Sequence, residues 1–94
     1  MGNSMASIDS ILEERGTTYG AFEGISAISQ TLKDTLRHGM QSNCSDDMTE
    51  ALEMICHKMA RIINGDPNHL DSWMDIAGYA TLVARRLESE HRDK

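Results

Sequence analysis

Proline occurs once in this chain of 94 residues, at position 67. No stretch alternates β-branched and polar residues, so nothing reads as a half-buried strand. Aromatic residues number four: one Trp, one Phe and two Tyr. That supplies one small core and no more. There are two cysteines, Cys44 and Cys56. Their spacing fits no zinc signature, and Cys56 reads as a small hydrophobe on the apolar side of a helix. Both are expected to be free thiols in a reducing, cytoplasmic setting. No apolar run approaches the roughly 20 residues that span a bilayer. The N-terminus lacks a basic patch followed by an apolar block, so it does not read as a signal peptide. Met1 to Ala6 reads as a frayed, disordered leader, with Met5 a second candidate start. Basic residues are the minority, and the formal net charge is −6. That balance disfavours nonspecific binding to nucleic-acid phosphates. A single nucleotide stays open, because a divalent cation can bridge carboxylates to phosphates.

What is present is helical periodicity. Residues 7–91 are expected to form a single all-α domain, an antiparallel helical bundle of about four helices. Ser7 can cap a short first helix carrying Ile8, Ile11 and Leu12, with Gly16 as its stop. A second helix carries Phe22, Ile25, Ile28, Leu32 and Leu36 and ends at His38-Gly39. Residues 41–47 read as an exposed polar loop. Asp46 or Asp47 then caps a third helix running to about Asn64. On it, Met48, Ala51, Leu52, Ile55, Met59, Ile62 and Ile63 share one arc, and Glu50, Glu53, His57, Arg61 and Asn64 the other. Asn64-Gly65-Asp66-Pro67 is a stop followed by a start. The fourth helix runs from near Leu70 to about Glu90, with Trp73, Ile76, Ala77, Ala80, Val83, Ala84 and Leu87 as its apolar face. Leu82 falls on the opposite face, which suggests cover by another helix or a partner chain. The short connection makes helices three and four an antiparallel hairpin. Two broad apolar faces on so small a chain also predict a homo-oligomer, most simply a twofold dimer.

The hairpin would carry two acidic pairs. Glu50 and Glu53 lie on one helix, Asp71 and Asp75 on the next. Asp71 and Asp75 are four apart and repel each other, with no basic residue one turn beyond. A divalent cation shared by these carboxylates would relieve that repulsion, and hard oxygen ligands suit Mg²⁺ or Mn²⁺. A solvated ladder of charges is the plainer alternative. Lys58 and Arg61 offer cations for phosphates, and His57 is a candidate base. Tyr19 and Phe22 flank Gly20 and can wall a ligand pocket or pack in the core.

These residues resemble a small family of phage and prophage proteins. The matching blocks are Glu14-Arg15-Gly16, Tyr19-Gly20 with Phe22, Glu50 through Ile55, His57-Lys58, and Ala60-Arg61-Ile62. Asn64-Gly65-Asp66-Pro67, Asp71-Ser72-Trp73 and Asp75 through Tyr79 complete them. Ala21 stands where that family usually has an acidic residue. More distantly the chain resembles the all-α nucleoside triphosphate pyrophosphatases of the MazG and dUTPase-like group. That resemblance implies a MazG-like fold holding Mg²⁺ through Glu50, Glu53, Asp71 and Asp75, the second pair being four apart rather than three. It implies Glu53, His57, Lys58 and Arg61 as the catalytic set, Tyr19 and Tyr79 as substrate-binding residues, and release of pyrophosphate from a nucleoside triphosphate. No Gly-rich phosphate loop is present. The competing expectation is a non-catalytic, phage-encoded protein that binds and inhibits a host defence protein in the host cytoplasm.

Overall fold

A computed structural model describes residues 2–40 and 42–92; Met1 of the leader and Gln41 of the polar loop lie outside them. The described chain is all-helical: α1 Gly2–Tyr19, α2 Phe22–Gly39, α3 Asp46–Asn64 and α4 Leu70–Arg92, with no strand among the described residues. No helix among them is long and apolar enough to cross a membrane.

The helix ends follow local chemistry. Gly16 does not stop α1. The helix continues one turn further, to Tyr19, with the Thr17 and Thr18 hydroxyls donating back to the carbonyls of Glu13 and Glu14 at 3.0 and 3.2 Å. The stop is Gly20, at φ +82°, whose N–H donates to the Gly16 carbonyl at 2.9 Å. α2 ends at Gly39. Just before it, the His38 ring uses Nδ1 to bond the Asp34 carbonyl one turn back, at 2.7 Å. Ser45, rather than either aspartate, occupies the N-cap of α3. Its hydroxyl is drawn to the Asp47 carboxylate, which Arg86 of α4 also grips.

α3 is the middle of the fold. α2 and α4 both pack on it, and among the described residues their backbones do not come close to each other. Ala51 and Ala60 are both buried and lie on opposite sides of α3. The helix therefore has two contact lines. Its expected polar arc does not face water alone: Glu53, His57, Arg61 and Asn64 are half-buried on the side of α2 and α1. Part of the expected apolar arc is left open, with Ile63 62% exposed. α4 is rotated likewise. It turns the line of buried Ser72 and half-buried Ile76, Tyr79 and Val83 toward α3, and Trp73 stays 53% exposed instead of entering the core. Among the described residues the buried interior is small: Ile25, Ala51 and Ala60 with Ser29 and Ser72. Small side chains at the crossings let the backbones approach closely, which leaves the larger apolar residues outside. Ion pairs fix the α3–α4 hairpin. Lys58 Nζ meets Asp75 Oδ2 at 2.9 Å, and Arg86 bridges Asp47 and Glu90.

Candidate ligand pocket between α1, α2 and α3

The tight segment after α1 and the tight segment after α3 are sewn to each other. Asn64 Nδ2 donates to the carbonyls of Tyr19 and Ala21, each at 3.0 Å. The Asp66 N–H donates to the Thr18 carbonyl at 2.7 Å. Two backbones meet at this seam. A Cβ at Gly65 would lie 2.3 Å from Tyr19 Cα, and one at Gly20 would lie 2.5 Å from the Asn64 carbonyl oxygen. Neither position has room for a side chain. The Tyr19-Gly20 and Asn64-Gly65-Asp66-Pro67 blocks, 45 positions apart, are thus two halves of one joint.

That joint sets the side chains above it. The Arg61 guanidinium carbon stands 4.4 Å from the centre of the Tyr19 ring, within cation–π range. The Tyr19 hydroxyl lies 3.4 Å from His69 Nε2, and the two rings meet edge to face at 5.5 Å. Beside this stack opens a cavity of about 490 Å³. Its apolar wall is Leu12, Tyr19, Phe22 and Ile25, and its floor is Gly16, Gly20 and Ala21. Its polar groups are Arg15, Arg61 and His57. Among the described residues no carboxylate lines it. On a chain of net charge −6 this is a cationic pocket. Arg61 Nε is buried and finds no hydrogen-bond partner among the described residues. Burial pushes the His57 imidazole below its usual value, and Arg61, Lys33 and Lys58 push it the same way. His57 therefore stays neutral near pH 7.

Of the expected site residues, Tyr19, His57 and Arg61 come together here. Arg15, Phe22 and Leu12 join them; Arg15 carried no site expectation, though it lies in one of the blocks shared with the phage family. The remainder go elsewhere. Lys58 points to α4 and is engaged by Asp75, so the cation that the acidic pair lacks in sequence is supplied by the neighbouring helix. Glu53 lies near Cys56, on the side of Lys33. Asp71 is exposed on α4, and Tyr79 is half-buried on the line that packs against α3. Among the described residues no three of His, Cys, Asp and Glu gather in a way that could hold a metal ion. Cys44 and Cys56 are free thiols.

A family profile described as a domain of unknown function, DUF6378, matches residues 5–87. No curated protein and no solved structure matches the chain.

Proposed function

The chain belongs to the DUF6378 family, and we propose that it binds a nucleoside triphosphate in the α1–α3 pocket. Pyrophosphohydrolysis, the reaction implied by the MazG-type resemblance, is the chemistry this binding would serve. The supporting observation is a cavity of about 490 Å³ with two guanidinium groups, a neutral imidazole and no carboxylate. That volume falls within the range of small-molecule sites. Arg15 and the unpartnered Nε of Arg61 give planar, charge-assisted donors for phosphate oxygens. Neutral His57 offers one ring N–H to a phosphate oxygen and one lone pair for a proton. Tyr19, Phe22 and Leu12 provide an apolar wall for a base.

Mg²⁺ or Mn²⁺ is the cofactor that this reading would bring. The acidic residues do not fit it within one chain, because Asp75 is held by Lys58 and no three candidate ligands gather among the described residues.

Calorimetric titration with nucleoside triphosphates, with and without Mg²⁺ or Mn²⁺, tests the reading. Arg61→Ala removes a charge-assisted donor worth about 1.5–3 kcal/mol, so affinity should fall roughly 10- to 100-fold. Pyrophosphate release in the same samples reports turnover, and His57→Gln, which removes the pocket's neutral imidazole, should abolish it without unfolding the protein. Absence of nucleotide binding, or equal affinity in Arg61→Ala, refutes the proposal. A second reading, a protein that binds a host protein without catalysis, draws on the exposed Met74 and Leu82 of α4. It expects no nucleotide affinity and a host protein retained in a pull-down.

A further inference from the structure

The charged groups of the pocket are of one kind. Arg15 and Arg61 both line the cavity, and a guanidinium group donates hydrogen bonds and accepts none. Arg61 Nε is buried and still seeks an acceptor among the described residues. The carbonyls beside the floor are already engaged. That of Gly16 accepts from the Gly20 N–H at 2.9 Å, and those of Tyr19 and Ala21 accept from Asn64 Nδ2 at 3.0 Å each. The surrounding charge has the same sign. Arg61, Lys33 and Lys58 all push the His57 imidazole downward, as neighbouring cations do. Asp75, the nearest acid to Lys58, is spent on that lysine at 2.9 Å.

A divalent cation asks for the opposite surroundings. Mg²⁺ takes oxygen ligands in an octahedron and is bound through carboxylates together with the phosphates of its nucleotide. In this pocket it would meet two guanidinium charges, with no carboxylate among the described residues to offset them. A metal on a polyphosphate also occupies oxygens that Arg15 and Arg61 would bond, and it cancels the charge that draws the ligand in. Metal and pocket therefore compete for one set of phosphate oxygens.

Building on the nucleotide binding proposed for this site, we infer that the pocket takes its nucleotide with the phosphates free of metal, Arg15 and Arg61 supplying the positive charge that a divalent cation would otherwise bring. Mg²⁺ then acts as an antagonist of binding, most strongly for the nucleotides that chelate it best. Binding linkage is reciprocal, so the protein in turn weakens the hold of a captured triphosphate on Mg²⁺.

Each common ribo- and deoxyribonucleoside triphosphate is titrated by calorimetry into the protein, in chelator and in Mg²⁺, at one ionic strength so that general screening is equal. Mg²⁺ set to leave about one nucleotide in ten metal-free should weaken the apparent affinity about 10-fold, because only that fraction binds. The matching monophosphate has fewer oxygens with which to chelate and should lose far less. Arg15→Ala, at an exposed site on α1, should weaken binding of the metal-free triphosphate about 10- to 100-fold. Equal or tighter affinity in Mg²⁺ overturns the inference while leaving nucleotide binding in place. An equal loss for monophosphate and triphosphate also overturns it, as does an Arg15→Ala protein that binds as well as the wild type. If no nucleotide binds in either buffer, nucleotide binding itself is refuted, and this inference with it.

Discussion

Asn64→Ala is the sharpest probe of the joint beneath the pocket. The amide donates to the carbonyls that end α1 and cap α2, at 3.0 Å each. The Tyr19 carbonyl is partly buried at a helix end, where the helix itself offers no donor. Losing its partner should cost about 1–1.5 kcal/mol, and the more exposed Ala21 bond about 0.5 kcal/mol. The sum, about 2 kcal/mol, corresponds to a fall in Tm of roughly 8–16 °C for a domain of this size. Asn64→Asp sharpens the test. It keeps the shape, removes both donors and turns acceptor oxygens toward two carbonyls. It should therefore destabilise more than Asn64→Ala near pH 7, and the difference should shrink on acidification as the new carboxyl protonates. Denaturant titration of the three proteins at two pH values measures both quantities. A loss below about 0.5 kcal/mol in Asn64→Ala, or an Asn64→Asp variant no worse than it, would refute the account of the joint.

Two predictions concern protonation. His57 has its folded pKa pushed below its ordinary 6.5, so the unfolded chain binds a proton more readily. Its contribution to stability is intact above pH 6.5 and falls away as pH drops through 6.5 toward the lowered folded value. His57→Gln should flatten that part of a Tm-against-pH profile, and an unchanged slope would contradict the placement. Asp47 is held at about 2, below its ordinary 3.8, first by the Arg86 hydrogen bond and then by the Ser45 hydroxyl. Its stabilising share is present above 3.8 and lost as pH falls through 2. In Arg86→Met, NMR titration should find Asp47 moved up toward 3.8; a carboxyl still near 2 would show that Arg86 is not the cause.

Four helices, the end of the second and the α3–α4 hairpin were legible from periodicity and from Gly39 and Asn64-Gly65-Asp66-Pro67. These signals are local, and helices obey them within a few residues. Gly16 misled because a glycine stops a helix where the chain turns left-handed, and that turn comes at Gly20, at φ +82°, one turn later. Tyr19, His57 and Arg61 were marked in the sequence as separate candidates. Their meeting was not, because it depends on two glycine-tight segments 45 positions apart closing on each other through Asn64. The acidic pairs show the opposite failure. Spacing along one helix revealed that Asp71 and Asp75 repel, while the relieving charge, Lys58, comes from another helix. Periodicity also identifies which residues of a helix are apolar but not which line of them a neighbour covers. With α3 packed on both sides and crossings built of Ala and Ser, tertiary packing buried the small residues. It left Ile63, Trp73 and the alanines of α4 in the open.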